Sequence, residues 1–181
     1  MGVSSLITPR LLLAPLGVED VDEAYVRWQN DPEVLRYRAR RASVSADELR
    51  AYIRTIPEQD RVLAIRERET SRHIGNIALN SVLEHHRNAE LSIVIGARDV
   101  WGRGYGREAI VVVTRFAFDA MGLHRVWAES PNPAFNRVVA SLGFMHEGTK
   151  RQAMLIDGQF VDLDCWGILD GERGAAFGDD T

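Results

Sequence analysis

The sequence predicts a mixed α/β domain built on a single sheet, and three observations predict it. Runs rich in Leu, Ile and Val alternate with segments of helical spacing along most of the chain. The last two strand-like runs meet at Asp157-Gly158, a dipeptide that tolerates φ > 0 and so suits a tight hairpin turn. The helical segments also carry their own punctuation, with polar caps before them and glycines after them. A chain of 181 residues is one domain by length, and it is long enough to bury a proper core. Its 45% apolar and 27% charged content is ordinary for a globular protein.

The elements follow in order. Residues 10–16 read as a first strand. Residues 19–29 read as a helix, because Val21, Ala24, Tyr25 and Trp28 recur at helical spacing. A short helix starts at Pro32. Another spans 46–56, opened by Ser45 with Glu48 three residues on, a capping box. Residues 61–68 and 73–83 are strands turning through Glu69-Thr70-Ser71, and 89–96 is the fourth strand. Residues 107–121 form a helix stopped by Gly122, with Ala109, Val113, Phe116 and Ala120 on one apolar face. Residues 125–129 make a fifth strand. In the helix after it, Asn132 is the N-cap, Pro133 fits the first helical position and Gly143 ends it. Strands at 145–156 and 159–169 close the domain, and the glycine-rich polar stretch 170–181 reads as a loose tail.

Composition narrows the function classes. A net charge of −4 weighs against general nucleic-acid binding. The single cysteine, Cys165, has no partner for an internal disulfide and suits a reducing cytoplasm. No apolar run reaches the roughly 18–20 residues that span a membrane, and the N-terminus lacks a signal-peptide core. The expectation is a cytoplasmic protein without membrane or nucleic-acid partners and without a metal.

The most informative segment is Trp101-Gly102-Arg103-Gly104-Tyr105-Gly106-Arg107, set between the fourth strand and a helix. Glycine lets backbone approach a ligand closely and reach φ > 0. The segment feeds a helix N-terminus, where unpaired N–H groups and the positive dipole end favour an anion. Arg103 and Arg107 lie at the same helix start, where cations are misplaced unless something negative binds. The segment reads as a pyrophosphate cradle; the plain alternative is an ordinary strand-to-helix turn. Glycines at 102, 104 and 106 miss the Gly-x-Gly-x-x-Gly dinucleotide spacing, and no Gly-Lys-Ser/Thr follows for a P-loop.

With its flanks, the segment resembles the acetyl-CoA motif of the GNAT superfamily of N-acetyltransferases. The family writes Gln/Arg-x-x-Gly-x-Gly/Ala; here Trp101 takes the first place and Gly104 and Gly106 the others. Trp in that place is familiar from the branch of ribosomal-protein alanine and spermidine acetyltransferases. Thr8-Pro9-Arg10-Leu11-Leu12-Leu13, Trp28-Gln29-Asn30-Asp31-Pro32-Glu33-Val34 and the segment from Asn132 to Leu142-Gly143-Phe144 resemble the same branch. The similarity covers about residues 7–169, which it marks as a single domain. It implies a mostly antiparallel seven-stranded sheet, splayed between its fourth and fifth strands and flanked by about four helices. It implies acetyl-CoA as co-substrate, a primary amine as acceptor, and homodimerisation.

The resemblance also implies roles. The backbone of Ile93, Val94 and Ile95 would pair with the pantetheine arm as a missing strand would, and one N–H would bond the thioester oxygen. Trp101 to Arg107 would hold the diphosphate, with Asn132 and Arg137 also touching the coenzyme; Asn132 needs no such contact to be there, since it caps its helix. An alkylamine titrates near 10, so a base is needed. Glu90 is the first candidate, alternating with Ser92 and Val94 on one strand face; a glutamate in a surface ion pair is the alternative. His85, His86 and Glu129 are outsiders. The family's tyrosine acid falls at Val139, and Ala140 replaces a usual glutamate. Valine donates no proton, so the thiolate leaves unaided or another group serves. That departure keeps two rivals in view: a non-catalytic acyl-CoA-binding module, and an enzyme for another short acyl-CoA. A dinucleotide-binding protein is a third. Arg36, Arg38, Arg40 and Arg41 cluster where the family walls its acceptor, which suggests an anionic group on the acceptor; a solvated basic face is the bland reading.

Overall fold

The structure is a computed structural model, and it describes residues 5–38 and 43–177. Among these residues eight strands form one sheet in the order β1-β2-β3-β4-β5-β6-β8-β7. They are β1 (Leu6–Ile7), β2 (Leu11–Pro15), β3 (Arg61–Glu67), β4 (His73–Leu83), β5 (Asn88–Ile95), β6 (Arg125–Ser130), β7 (Met145–Ile156) and β8 (Gln159–Leu169). The helices are α1 (Glu23–Trp28), α2 (Pro32–Leu35), α3 (Ala46–Arg54), α4 (Tyr105–Asp119) and α5 (Pro133–Ser141). Every strand pair is antiparallel except β5–β6. This mostly antiparallel order excludes the doubly wound parallel sheet of a dinucleotide-binding fold.

The sheet carries a core on each face. On one face, Leu63, Ile77 and Leu91 of the strands pack with Ile110, Val113 and Ala117 of α4, Val139 of α5 and Leu142 at its C-terminal cap. On the other, Ala64, Val62 and Val94 meet Tyr25 and Trp28 of α1, Val34 of α2 and Leu49 of α3. Strand alternation produces the division: Leu91, Ile93 and Ile95 belong to the first cluster and Val94 to the second. Trp28 lies on Gly96 so closely that an added Cβ there would overlap its indole ring. That contact fixes α1 against the end of β5.

Four features differ from the sequence expectation. The eighth strand is β1, two residues that pair with Leu12 and Leu13, too short to leave an alternating pattern. The helix expected over 19–29 is broken. A 3-10 turn, Val18–Asp20, comes first, and α1 restarts where the Asp22 carboxylate accepts the Tyr25 N–H at 2.7 Å. Asp20 is held out of that helix by the Gly17 N–H at 2.8 Å and by an ion pair with Arg66. Helix α4 begins two residues earlier than expected, directly on Gly104. Beyond Leu169, where a loose tail is expected, residues 170–172 and 175–177 form 3-10 turns, and Phe177 is 5% exposed in the first core. One aromatic ring anchors an otherwise polar stretch. No helix among the described residues is long and apolar enough to cross a membrane.

Candidate active site

The site begins where β5 and β6 part. The two strands pair only from Asn88↔Arg125 to Glu90↔Trp127. Past Glu90, β5 stays paired with β4 through Ile95↔Gly75, while its other side has no strand partner among the described residues. Diverging parallel strands thus leave the outer edge of residues 93–95 beside a gap, with the backbone of Ile93 and Ile95 turned to it and the Val94 carbonyl turned to β4, an edge suited to an extended, amide-bearing chain.

The gap leads to the segment 101–107. Gly102 (φ 77°) and Gly104 (φ 82°) both sit in the left-handed region, where a side chain is strained. Gly104 is the N-cap of α4, and no side chain caps the helix there. The N–H groups of Tyr105, Gly106 and Arg107 lie in the first turn, where an α-helix has no internal acceptor for them. Gly106 faces β5: a Cβ there would stand 3.8 Å from Ile95 Cγ1 and 4.0 Å from Ile93 Cδ1. Trp101 donates its indole N–H to the Ile95 carbonyl at 2.8 Å and so ties the loop to the strand end. Arg103 and Arg107 are exposed, and Arg107 donates to Ser141 Oγ at 2.9 Å, linking α4 to α5. An anion has here a cluster of N–H donors and two cations at one helix start.

On the opposite strand face, Glu90 lies among the charges of Glu129, Lys150 and Asp60. Partial burial, reinforced by Glu129 and opposed by Lys150, raises its pKa above the usual carboxylate range. Lys150 of β7 forms an ion pair with Glu129 of β6. Asn80, opposite Glu90 on β4, donates to Ser92 Oγ at 2.7 Å. A carboxylate with a raised pKa beside an open strand edge has the properties of a general base.

Helix α5 borders the gap from the other side. Asn132 caps it, accepting the Ala134 N–H at 2.9 Å. Arg137 is exposed on its surface. Val139 is fully buried, so the tyrosine position of the resemblance points into the core. Ser141 donates to the Val138 carbonyl at 2.7 Å while accepting from Arg107. Asn136 donates to Asp164 at 2.8 Å, and its Oδ1 is buried without a partner among the described residues.

A family model described as an acetyltransferase (GNAT) domain matches residues 10–145. The chain belongs to the GNAT acetyltransferases. An N-acetyltransferase of Bacillus subtilis, YoaA, is 30% identical over 171 residues, 91% of this chain and 96% of its own. A second, p20 of Bacillus licheniformis, is 28% identical over 92% of this chain and 97% of its own. The crystal structure of spermidine N-acetyltransferase from Vibrio cholerae, in complex with CoA and spermine, superposes with a TM-score of 0.82. It is 24% identical and covers 91% of this chain and 98% of that one. Ribosomal-protein-S5-alanine acetyltransferase from Vibrio fischeri also gives 0.82, at 17% identity over 95% of this chain and 100% of that one. At such identities the structural likeness concerns the fold. The chain is an N-acetyltransferase, and the parted strands of its sheet are those of the GNAT fold.

This GNAT fold brings the predicted residues together unevenly. Ile93 to Ile95 and Trp101 to Arg107 form one continuous surface. Glu90 stands at its inner end, on the other strand face. Asn132 and Arg137 come in on α5. His85 and His86 do not join them; their rings meet edge to face at 5.1 Å, exposed in the β4–β5 turn. Of the arginine cluster, Arg38 donates to Gln29 Oε1 at 3.0 Å and Arg36 lies over the Tyr37 ring at 5.7 Å. Arg40 and Arg41 lie outside the described residues. Sequence reasoning missed Lys150, which reaches Glu129 across β8 and leaves no local signal. It also missed Glu108, whose place in the first turn of α4, next to an anion site, was a signal.

Proposed function

We propose that the protein transfers an acetyl group from acetyl-CoA to a primary amine by direct attack on the thioester, with no covalent enzyme intermediate. The observation that carries this reading is the separation of β5 from β6 beside the uncapped start of α4. Residues 101–107 would hold the diphosphate with main-chain N–H groups, and Asn132 and Arg137 would add contacts from α5. The pantetheine arm would then lie along the free side of residues 93–95, with one N–H on the thioester oxygen as the tetrahedral oxyanion forms.

Glu90 would take the proton from the attacking amine, directly or through a water. The amine arrives as an ammonium ion, and Glu90, Glu129 and Asp60 outnumber Lys150 around the point of arrival. With Val139 in the core, the thiolate leaves without the family's tyrosine; a thiol pKa near 8.5 makes that departure tolerable. The acceptor's remaining structure, whether protein N-terminus, amino acid, polyamine or antibiotic amine, is set by the region of Arg36 and Arg38, and homodimerisation is a further expectation of the family. Thiol release measured across an amine panel, with acetyl-CoA and with succinyl-CoA, tests the proposal. Turnover with acetyl-CoA on at least one amine is expected. Saturable CoA binding without turnover on any amine favours the non-catalytic acyl-CoA-binding module that Val139 and Ala140 suggest.

A further inference from the structure

The motif Thr8-Pro9-Arg10 lies far from the gap in sequence and touches none of the groups assigned above to the amine or the thioester. Yet it meets the first turn of α4. The Glu108 carboxylate is enclosed by it: Oε1 accepts the Thr8 hydroxyl at 2.5 Å and the Arg10 backbone N–H at 3.0 Å, and Oε2 accepts Arg10 Nε at 2.6 Å. The other arm of the Arg10 guanidinium donates to the Arg103 carbonyl at 2.8 Å. Its Cζ lies over the Tyr105 ring, 4.6 Å from the centroid, and the Tyr105 hydroxyl donates to Glu67 of β3 at 3.2 Å. Arg68 holds the Thr8 carbonyl at 2.9 Å, which ties the motif back to β3.

From these contacts we infer that Arg10, supported by Thr8, is a positioning residue for the coenzyme's diphosphate, acting through the Arg103 carbonyl and Glu108 without touching the ligand. The inference rests on the assignment of residues 101–107 to the diphosphate. Two physical arguments carry it. First, Arg103 sits between two left-handed glycines, the most freely rotating residues in the loop. A trans peptide is planar, so fixing the Arg103 carbonyl fixes the Gly104 N–H on the opposite side, away from Arg10. A loop of two glycines is thereby given one orientation of its central peptide before any ligand arrives. Second, a glutamate one turn into α4 places a negative charge near a site built for an anion. Burial alone would raise the Glu108 pKa, but the bonds from Thr8 and Arg10 outweigh it and hold the carboxyl below its ordinary value. Glu108 therefore stays ionised, and the guanidinium offsets its charge at contact distance. The fork geometry of arginine serves both acceptors at once; lysine, a point charge, serves one.

The test compares two thioesters on the full chain: acetyl-CoA, and S-acetylpantetheine, which lacks the diphosphate. For Arg10→Ala the expected result is a KM for acetyl-CoA raised about tenfold, the worth of one lost charge-assisted bond. The kcat at saturating acetyl-CoA and the kcat/KM for S-acetylpantetheine should be unchanged. Arg10→Lys, which keeps the charge beside Glu108, should fold as the wild type does and recover only part of the loss. Equal losses on both thioesters, or an unchanged KM for acetyl-CoA in a folded Arg10 variant, would overturn the inference. Failure of the loop assignment itself shows differently: the wild type then gives no saturation with CoA by calorimetry.

Discussion

On one face of β5, Ile93 and Ile95 lie against the first turn of α4, and the chemistry available there belongs to the backbone. On the other face, Glu90 and Ser92 stand among side chains drawn from β4, β6 and β7. The two faces solve different problems. An anion and an amide-bearing arm need N–H and C=O groups at set positions, and the glycine φ angles of one short loop supply them. Proton transfer needs a group with a shifted pKa, and no local segment can supply that. It arises at Glu90 because the sheet partly buries the carboxyl and brings Glu129 to it from 39 residues away in sequence, against the opposing charge of Lys150, 60 residues away. In the proposed assignment the diphosphate loop is built from contiguous sequence and the proton acceptor from tertiary assembly.

The largest effect should come from breaking the catalytic face alone. Glu90→Gln removes the proposed base and is expected to lower kcat by about a hundredfold or more. The Kd for acetyl-CoA, set by the opposite face, should not move. The pH profile gives the sign. As the proposed base Glu90 would act as a carboxylate, so kcat/KM should rise with pH through a value above the usual carboxylate range. The same shift bears on stability. The folded state holds this proton more tightly than the unfolded one, so the contribution is full below the unfolded pKa and is lost as pH rises through the folded pKa. Glu90→Gln should therefore raise Tm at neutral pH while abolishing most activity. A variant that loses activity and stability together would mean that Glu90 is a structural ion-pair residue.

The binding face can be tested with two glycines that look alike in sequence. Gly104 has φ 82° and Gly106 has not; an added Cβ at Gly106 meets Ile95 only at ordinary contact distance. Gly104→Ala forces a left-handed alanine and should cost about 1–2 kcal/mol. Relief of that strain by loop rotation would disturb the N–H groups, and CoA binding should weaken roughly tenfold for the same reason. Gly106→Ala lies inside α4 and should raise stability by up to about 1 kcal/mol through helix propensity. Thermal melts of the two variants should move in opposite directions. Two melts moving the same way would remove the distinction between a turn glycine and a helix glycine in this loop.

The same contrast explains what was legible beforehand. The loop, its strand and its helix could be read because glycines, caps and hydrophobic periods are local signals; the Asp157-Gly158 hairpin and the Asn132 cap are of this kind. The restart of α1 at Asp22 was not legible, since Asp20 is drawn aside by Arg66, a residue 46 positions away. The added strand β1 is two residues held by pairing, below the length at which alternation can be seen. At the site, Glu90 could be proposed from strand alternation, but the cause of its shifted pKa could not. The burial of Val139 and the bracing of Glu108 are products of packing between distant elements. Residues whose work is done by their own backbone announce themselves in sequence, and those that act through a neighbour do not.

Asn132 tests the smallest expected effect, because two roles coincide in one side chain. As N-cap of α5 it accepts the Ala134 N–H at 2.9 Å. Losing that bond in Asn132→Ala should cost about 1 kcal/mol of stability. If the side chain also touches the coenzyme, the same variant weakens CoA binding, and helix fraying alone could produce that too. Asn132→Asp separates the two. Aspartate caps as well as asparagine and adds a favourable charge at a helix N-terminus, so Tm should return to the wild-type value or exceed it. A coenzyme phosphate or amide close by would feel that charge as repulsion, and its Kd should remain raised. Full recovery of both Tm and Kd in Asn132→Asp would make Asn132 a cap and nothing more, leaving Arg137 as the coenzyme contact proposed on α5.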